Sequence, residues 1–315
     1  MRLLLLVNAS ASSVTPRTRV LIQQALSGDH DVEVAETSRR GHATRLAQGA
    51  AAIGVDAVIV LGGDGTLNEA ANGLAGSTTA LGVLPGGSTN VFARTIGVAN
   101  DPIEATTQLL SALKEGAIEP VGLGSVNGRF FLFHVGMGFD AAVVEQVERR
   151  ADLKRYVGHP LFVYSGFSTW FRHFDRSRPR LAVAHADGTV VDDAYLAIVL
   201  NTSPYTYLGN RPLDIAPDAA LDRPLAVVAV RTMSFRPLLS IVGAALGYGR
   251  SLRRHEQVSY RIDQDEVVVD GYGPFPYQVD GDFLGEAERL VLRYEAGQLN
   301  LILPVGGPRK GCFGN

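Results

Sequence analysis

Ala57-Val58-Ile59-Val60-Leu61-Gly62-Gly63-Asp64-Gly65-Thr66-Leu67-Asn68-Glu69 is the stretch from which the rest of this chain can be read. The apolar run Ala57–Leu61 reads as a short buried strand, glycines around one aspartate break it, and a helical pattern resumes from Leu67 to Leu74. Gly62, Gly63 and Gly65 free the backbone for left-handed angles and for close approach of a ligand. The N–H groups at the helix start favour an anion such as phosphate. Asp64 repels phosphate, so its place here makes sense with a divalent cation between the two. The structural alternative for the same residues is a tight turn, with Thr66 and Glu69 at the spacing of a capping box.

A second loop of the same kind follows. Leu81-Gly82-Val83-Leu84 reads as a strand, Pro85-Gly86-Gly87-Ser88-Thr89-Asn90 as a loop and Val91-Phe92-Ala93-Arg94 as the next helical run. Two successive strand ends thus present glycine-rich loops to one edge. GGDGTLNE at 62–69 with PGGSTNVFAR at 85–94 resembles the diacylglycerol kinase catalytic family, in its bacterial soluble lipid kinase branch, to which sphingosine kinases are related. The likeness continues through Val135-Gly136-Met137-Gly138-Phe139-Asp140-Ala141, Ile215–Asp222 and Val279-Asp280-Gly281-Asp282.

The chain has 315 residues, 46% of them hydrophobic and 19% charged, which suits one or two ordinary globular domains. A net charge of −3 gives no basic field for nucleic acid. The apolar run at Leu3–Val7 is too short for a signal peptide and reads as the first buried strand, and Leu238 to Tyr248 falls short of a membrane span. The single cysteine, Cys312, leaves no intramolecular disulfide and suits a reducing cytoplasm.

Strands are expected near Leu3–Asn8, Asp31–Glu36, Asp56–Leu61, Ala80–Leu84 and Ala117–Gly122, with helices between them punctuated by Thr15-Pro16, Gly28, Asp101-Pro102 and Gly116. That alternation predicts a doubly wound parallel α/β domain over 1–121, binding ligands at the carboxyl ends of its strands. From 122 to 297 the pattern turns to short strands with two-residue hairpin signals at Asn127-Gly128 and Asp187-Gly188. Strands are expected at Val190–Leu200, Leu225–Arg231, Gln257–Ile262, Glu266–Asp270, Tyr277–Val279 and Arg289–Tyr294, an antiparallel β-sandwich with helical insertions at about 142–174 and 235–254. The fold class is α/β plus all-β. The resemblance implies that about 298–305 returns to complete the first domain; 306–315 reads as a disordered tail.

Phosphoryl transfer requires a held nucleotide, a neutralising metal and an aligned acceptor hydroxyl. On that basis Gly62, Gly63, Asp64, Gly65 and Thr66 are assigned to the phosphates of ATP and the shell of Mg2+, Asp64 reaching the metal through water, with Asn68 and Glu69 at the mouth of the helix. The resemblance adds Asn8, Ser10, Thr37, Gly87, Ser88 and Asn90 to the nucleotide pocket; a helix cap is the alternative for Thr37 and Ser88. It also implies that Asp282 takes the proton of the acceptor hydroxyl, with Asp280 as alternative base or metal-shell partner. Relatives carry Asn-Pro-x-Ser-Gly where this chain has Asn8-Ala9-Ser10-Ala11-Ser12, and many carry an aspartate where it has Val91. A structural magnesium site of some relatives aligns with Ala220, Arg223 and Leu225. It is expected to be absent, Arg223 supplying the positive charge.

The implied activity is an ATP- and Mg2+-dependent lipid kinase acting on diacylglycerol or a sphingoid-like alcohol, cytoplasmic, with transient membrane contact, no nucleic acid partner and room for a homodimer. Tyr164, Phe167, Phe171 and Phe174, with Trp170, Lys154, Arg155, Arg172, Arg176, Arg178 and Arg180 around them, form one candidate membrane face. Packing of that stripe against the sandwich is the alternative. A lipid kinase also needs an apolar entrance between its domains, and the helix expected near Leu238–Leu252, ending Arg253-Arg254, is the second candidate for its rim. The functional alternatives are a kinase of a soluble acceptor, akin to NAD kinases and phosphofructokinases, and a catalytically silent nucleotide- or lipid-binding regulator.

Overall fold

The computed structural model describes residues 1–149, 168–169, 174–247 and 251–306. Two compact units make up the chain: Met1–Leu123 with Ala296–Asn315, and Gly124–Glu295.

In the first unit, β1 (Arg2–Val7), β2 (Asp31–Glu36), β3 (Ala57–Gly62) and β4 (Ala80–Pro85) alternate with α1 (Pro16–Ser27), α2 (His42–Ala52) and α3 (Asp64–Leu74). The strands pair in parallel, in the order β4-β3-β1-β2. Burial on both faces explains their unbroken apolar runs: every residue of β3 and β4 is buried. The crossover from β1 to β2 leads one way and that from β2 to β3 the other, so right-handed connections put α1 on one face and α2 and α3 on the opposite one. The order reverses between β1 and β3, and the chain leaves both strands there on loops. α4 (Val91–Thr95) and α5 (Pro102–Glu115) follow β4. Thr15 and Asp101 cap α1 and α5 with their side chains, each helix having proline in its first turn, and Gly116 ends α5 in a left-handed conformation, φ 64°. Late in the chain, Asn300 and Leu301 pair in parallel with Ala80 and Leu81 of β4.

The second unit holds the antiparallel strands. β5 (Ile118–Val126) enters it, followed by β6 (Arg129–Phe131), β7 (His134–Gly138), α6 (Phe139–Glu148), β8 (Leu181–His185), β9 (Val190–Ala194) and β10 (Leu196–Leu200). After a small hairpin of β11 (Thr206–Leu208) and β12 (Arg211–Leu213) come β13 (Leu225–Val230), α7 (Phe235–Leu246), β14 (Val258–Gln264), β15 (Glu266–Val279) and β16 (Asp282–Ile302). β15 joins two layers: its first half pairs with β8 and its second half with β7, with an irregularity between Asp270 and Phe275. Inward side chains of both layers, among them Val135, Met137, Val183, Val199, Val227, Val269 and Phe275, form one core. The opposite faces of β10 and β13 carry a second core, Ile198, Val228 and Val230, under Ile241 and Ala245 of α7.

Asn127-Gly128 forms the expected two-residue hairpin, φ 46° and 84°. Asp187-Gly188 does not. His185 N–H donates to the Thr189 carbonyl, so the loop has a third residue and only Gly188 is left-handed, while the Asp187 carboxylate accepts the Thr189 N–H and hydroxyl. The single strand expected over Val190–Leu200 breaks at Tyr195, because β9 pairs with β8 whereas β10 pairs with β7 and β13. Conversely, the separate strands expected at Glu266–Asp270 and Tyr277–Val279 are one strand, β15. Of the aromatic stripe, Tyr164, Phe167, Trp170, Phe171, Lys154, Arg155 and Arg172 lie outside the described residues, as does the tail after Gly306. Phe174 meets Phe139 edge-on at 5.3 Å.

Candidate active site

The loops after β1, β3 and β4 are tied together at the carboxyl edge of the first unit. Asn8 closes on itself by accepting the Ser10 N–H (3.1 Å), and its Nδ2 donates to Thr66 Oγ1 (2.9 Å), spanning the point where the strand order reverses. Ser13 N–H donates to the Gly86 carbonyl and Gly86 N–H to the Gly62 carbonyl. Gly86 and Gly87 are explained by this contact of backbone on backbone, Gly62 by the Thr66 side chain. A Cβ at Gly86 would lie 2.9 Å from Gly62 Cα, one at Gly87 2.9 Å from Gly63 Cα, and one at Gly62 3.0 Å from Thr66 Cβ. None of Gly62, Gly63 and Gly65 is left-handed, which corrects the expectation that they serve such angles.

Gly63 differs from its neighbours. A Cβ there would meet nothing closer than Gly87 Cα at 3.5 Å, an ordinary contact, and its backbone (φ −88°, ψ 178°) suits any residue. Packing therefore does not demand glycine. Gly63 is also the N-cap of α3, where Ser, Thr, Asp or Asn would ordinarily satisfy the first-turn N–H groups; α3 has no side-chain cap. The neighbouring helices are capped from elsewhere. Asp64 accepts the N–H groups of Val91 (3.0 Å) and Phe92 (3.1 Å) at the start of α4. Glu69 accepts those of Gly41 (2.7 Å) and Ala43 (3.1 Å) at the start of α2. The capping box within α3 is thus not formed, and Glu69, expected at the nucleotide, spends both carboxylate oxygens on α2.

Asn90, also expected at the nucleotide, is buried at φ 49°. It accepts the Gly87 N–H (2.8 Å) and donates to the Gly87 carbonyl and to Asn100, so it holds the second loop in shape. Asn68 is buried, with the Asn72 amide donating to its carbonyl. Ser10 and Ser88 are exposed on their loops. Thr37 N–H donates to the Val7 carbonyl at the end of the neighbouring strand. Ser13, which sequence reasoning did not single out, joins the first loop to the second through its N–H and through its hydroxyl on the Gly87 carbonyl, 3.3 Å.

Among the described residues, no group of three or more His, Cys, Asp or Glu side chains is placed to hold a metal ion. Asp64 is the acid nearest the α3 start in sequence. A magnesium ion would fit there only as magnesium usually binds nucleotides, with water and the phosphates as its shell and one carboxylate, Asp64, holding it through a water. Arg223 directs its guanidinium onto Asp263, Nη2 lying 2.9 and 2.8 Å from the two carboxylate oxygens.

In the second unit, β15 and β16 meet in a hairpin whose central residues, Asp280 (φ 50°) and Gly281 (φ 81°), are both left-handed, as a two-residue turn requires. Asp280 is 4% exposed, and its carboxylate accepts the N–H groups of Leu132 (2.7 Å), Phe133 (2.9 Å) and His134 (3.0 Å). Three backbone donors thus tie the Asp280 carboxylate to the chain at 132–134. Asp282, the first residue of β16, is only partly buried. Behind the hairpin lies a polar group that sequence reasoning missed. Tyr205 O–H donates to Asp140 Oδ1 (2.6 Å), Gln278 Nε2 donates to Asp140 Oδ2 (2.9 Å), and Gln278 Oε1 accepts the Gly281 N–H (2.8 Å). Burial raises the Asp140 pKa, opposed by the bonds from Tyr205 and Gln278. Burial likewise raises that of Tyr205 and lowers that of His134, stacked 4.4 Å from Tyr205, to about 3.

A parallel α/β unit whose glycine loop leaves one helix start without a side-chain cap is joined in sequence to an antiparallel unit with an acidic hairpin. The chain belongs to the diacylglycerol kinase catalytic-domain family, and its similarity is to the lipid kinase members. The family description, Diacylglycerol kinase catalytic domain, matches residues 2–126. A "Probable lipid kinase YegS-like" of Pseudomonas syringae pv. syringae is 35% identical over 291 residues, covering 89% of this chain and 87% of that protein. One of Pseudomonas aeruginosa is 28% identical over 308 residues, covering 97% and 95%. The fold is shared with a diacylglycerol kinase structure from Bacillus anthracis str. Sterne, with a TM-score of 0.71, 23% identity and 97% of each chain covered.

Proposed function

We propose that the protein is an ATP- and magnesium-dependent kinase that transfers the γ-phosphoryl group to the free hydroxyl of a lipid, diacylglycerol or a sphingoid-like alcohol. The observation that carries this reading is Gly63: neither packing nor backbone angle calls for glycine there, and a capping side chain is forgone, which suits a position kept bare for phosphate. The first-turn N–H groups of α3 hold the phosphates. Asp64 orients α4 and takes a water of the magnesium shell; the ion, when bound, neutralises charge on the transferring group. The acceptor oxygen bonds to the γ-phosphorus as the bond to the bridging oxygen breaks, ADP departs, and Asp282 receives the hydroxyl proton. Outward residues of α7, Phe235 (49% exposed), Leu239 (60%) and Val242 (47%), form the stripe assigned to transient contact with a bilayer.

Gly63→Ser tests the carrying observation. Serine suits an N-cap, so stability stays within roughly 0.5 kcal/mol of the parent. Affinity for Mg-ATP, measured by calorimetry, drops about tenfold or more because the hydroxyl fills the phosphate position. Undiminished affinity in a folded variant defeats the reading. Transfer of labelled γ-phosphate to a panel of lipid alcohols then identifies the acceptor.

A further inference from the structure

The Asp140 network poses a physical question. A carboxyl taken wholly out of water is costly, and among the described residues the hydrogen-bond partners of Asp140 are two neutral donors, Tyr205 and Gln278. A two-residue Asp-Gly hairpin closes through its own backbone and needs no such support. Space has nevertheless been cleared for the contact. Gly136 stands opposite Gln278 across the β7–β15 pairing, and a Cβ on Gly136 would lie 1.7 Å from Asp140 Oδ2 and 2.5 Å from Gln278 Nε2. The pairing of β15 with β16 also shifts between Tyr277 and Gln278. Gln278 is fully buried, so its amide has no water to fall back on.

The chemistry of the pair sets a direction. Asp140 Oδ2 accepts from Gln278 Nε2, so the NH2 side of the amide faces the carboxyl. The carbonyl side is then turned to the Gly281 N–H, and Gly281 is bonded to Asp282. A reversed amide would set NH2 against N–H at the turn and oxygen against oxygen at Asp140.

We propose that Asp140 is a positioning residue for the phosphoryl-transfer reaction: acting through Gln278, it fixes the Asp280–Gly281 peptide, one residue before Asp282, and so aims the Asp282 carboxylate at the acceptor hydroxyl. The inference rests on the reading above in which Asp282 is the base. It also gives a role to the Val135–Ala141 segment, whose Gly136 makes the room and whose Asp140 supplies the acceptor.

The test is an exchange of donor and acceptor in the full chain. Gln278→Glu sets two carboxyls face to face, and kcat falls about tenfold or more while KM for Mg-ATP is unchanged, since a small misplacement of a reacting group is enough for such a loss. Asp140→Asn added to Gln278→Glu restores a complementary pair: the introduced asparagine amide donates to the introduced glutamate, whose other oxygen accepts the Gly281 N–H. The double variant then regains kcat to within about threefold of the parent, a non-additivity that independent sites do not give. Full kcat in Gln278→Glu, or a double variant that melts like the parent yet is no faster than Gln278→Glu, overturns the proposal. Should Gln278→Glu not fold, Asp140→Asn decides: kcat lowered about threefold at unchanged KM for Mg-ATP supports the role, and parental kcat overturns it. Asp282→Asn separates the two levels. Retained turnover there removes the base assignment and the inference with it, whereas lost turnover beside a fully active Gln278→Glu removes the inference alone.

Discussion

Asp280 and Asp282 stand two positions apart on one hairpin and are given different work by their surroundings. The three backbone N–H groups on Asp280 make it part of the framework of the second unit. Asp280→Asn turns an acceptor into a partial donor against buried N–H groups and is expected to cost about 2–3 kcal/mol, read as a shift of the urea midpoint. Asp282→Asn leaves that midpoint near the parent's and abolishes turnover. His134 predicts an acid limb. Its folded pKa of about 3 lies below the ordinary 6.5, so between those values the unfolded chain takes up a proton that the folded chain refuses. Stability is therefore fully present above 6.5 and falls as pH drops through that window, by roughly 1.4 kcal/mol per pH unit for this group. Asp140 works in the opposite sense: its raised pKa makes acidification relieve the cost of its burial. In His134→Phe the melting temperature accordingly falls less between pH 6.5 and 4 than in the parent.

Between elements, the first unit is held by caps supplied across its loops: α3 gives Asp64 to α4 and Glu69 to α2. Two variants distinguish framework from site. Glu69→Ala removes the α2 cap at about 1 kcal/mol with nucleotide affinity unchanged. Gly86→Ala pushes a methyl group against Gly62 Cα and N (2.9 Å each) and Val14 Cγ2 (2.8 Å), so it costs about 1–3 kcal/mol and lowers affinity for Mg-ATP as well. Midpoint and affinity measured on the same preparations check both. At this scale the sequence was readable where the signal is local. Apolar runs, Thr15-Pro16, Asp101-Pro102, Gly116 and Asn127-Gly128 lie where the structure has strands, caps and turns. It was unreadable where partners decide. Glycines and a proline at 271–274 interrupt the pattern of β15, and only its pairing with β8, β7 and β16 makes it one strand. The acid at position 69 had the spacing of a cap for its own helix and caps another, because spacing along a chain carries no record of the neighbouring helix.

For the molecule as a whole, binding to the native state alone raises stability by mass action. Mg-ATP at about a hundred times its dissociation constant is expected to add about 2.7 kcal/mol, seen as a higher melting temperature. Magnesium alone leaves the melting temperature unchanged, since a single carboxylate without phosphate makes a poor shell for it. A shift with magnesium alone equal to that with Mg-ATP contradicts this site. The sequence by itself determined the two-part grammar of the chain, the two glycine loops and the family resemblance, because hydrophobic period, turn chemistry and short motifs are written in neighbouring residues. Only the tertiary structure decided which polar residues are taken up by bonds within the protein. Glu69 and Asp280 are bonded to backbone groups on other segments, Asn90 to its own loop and to Asn100, Gly63 is left bare, and Asp140 and Tyr205 meet Gln278 from distant stretches of chain behind one turn. Hydrogen bonds between distant segments depend on where the folded backbone puts them, and no local pattern of residues encodes that distance.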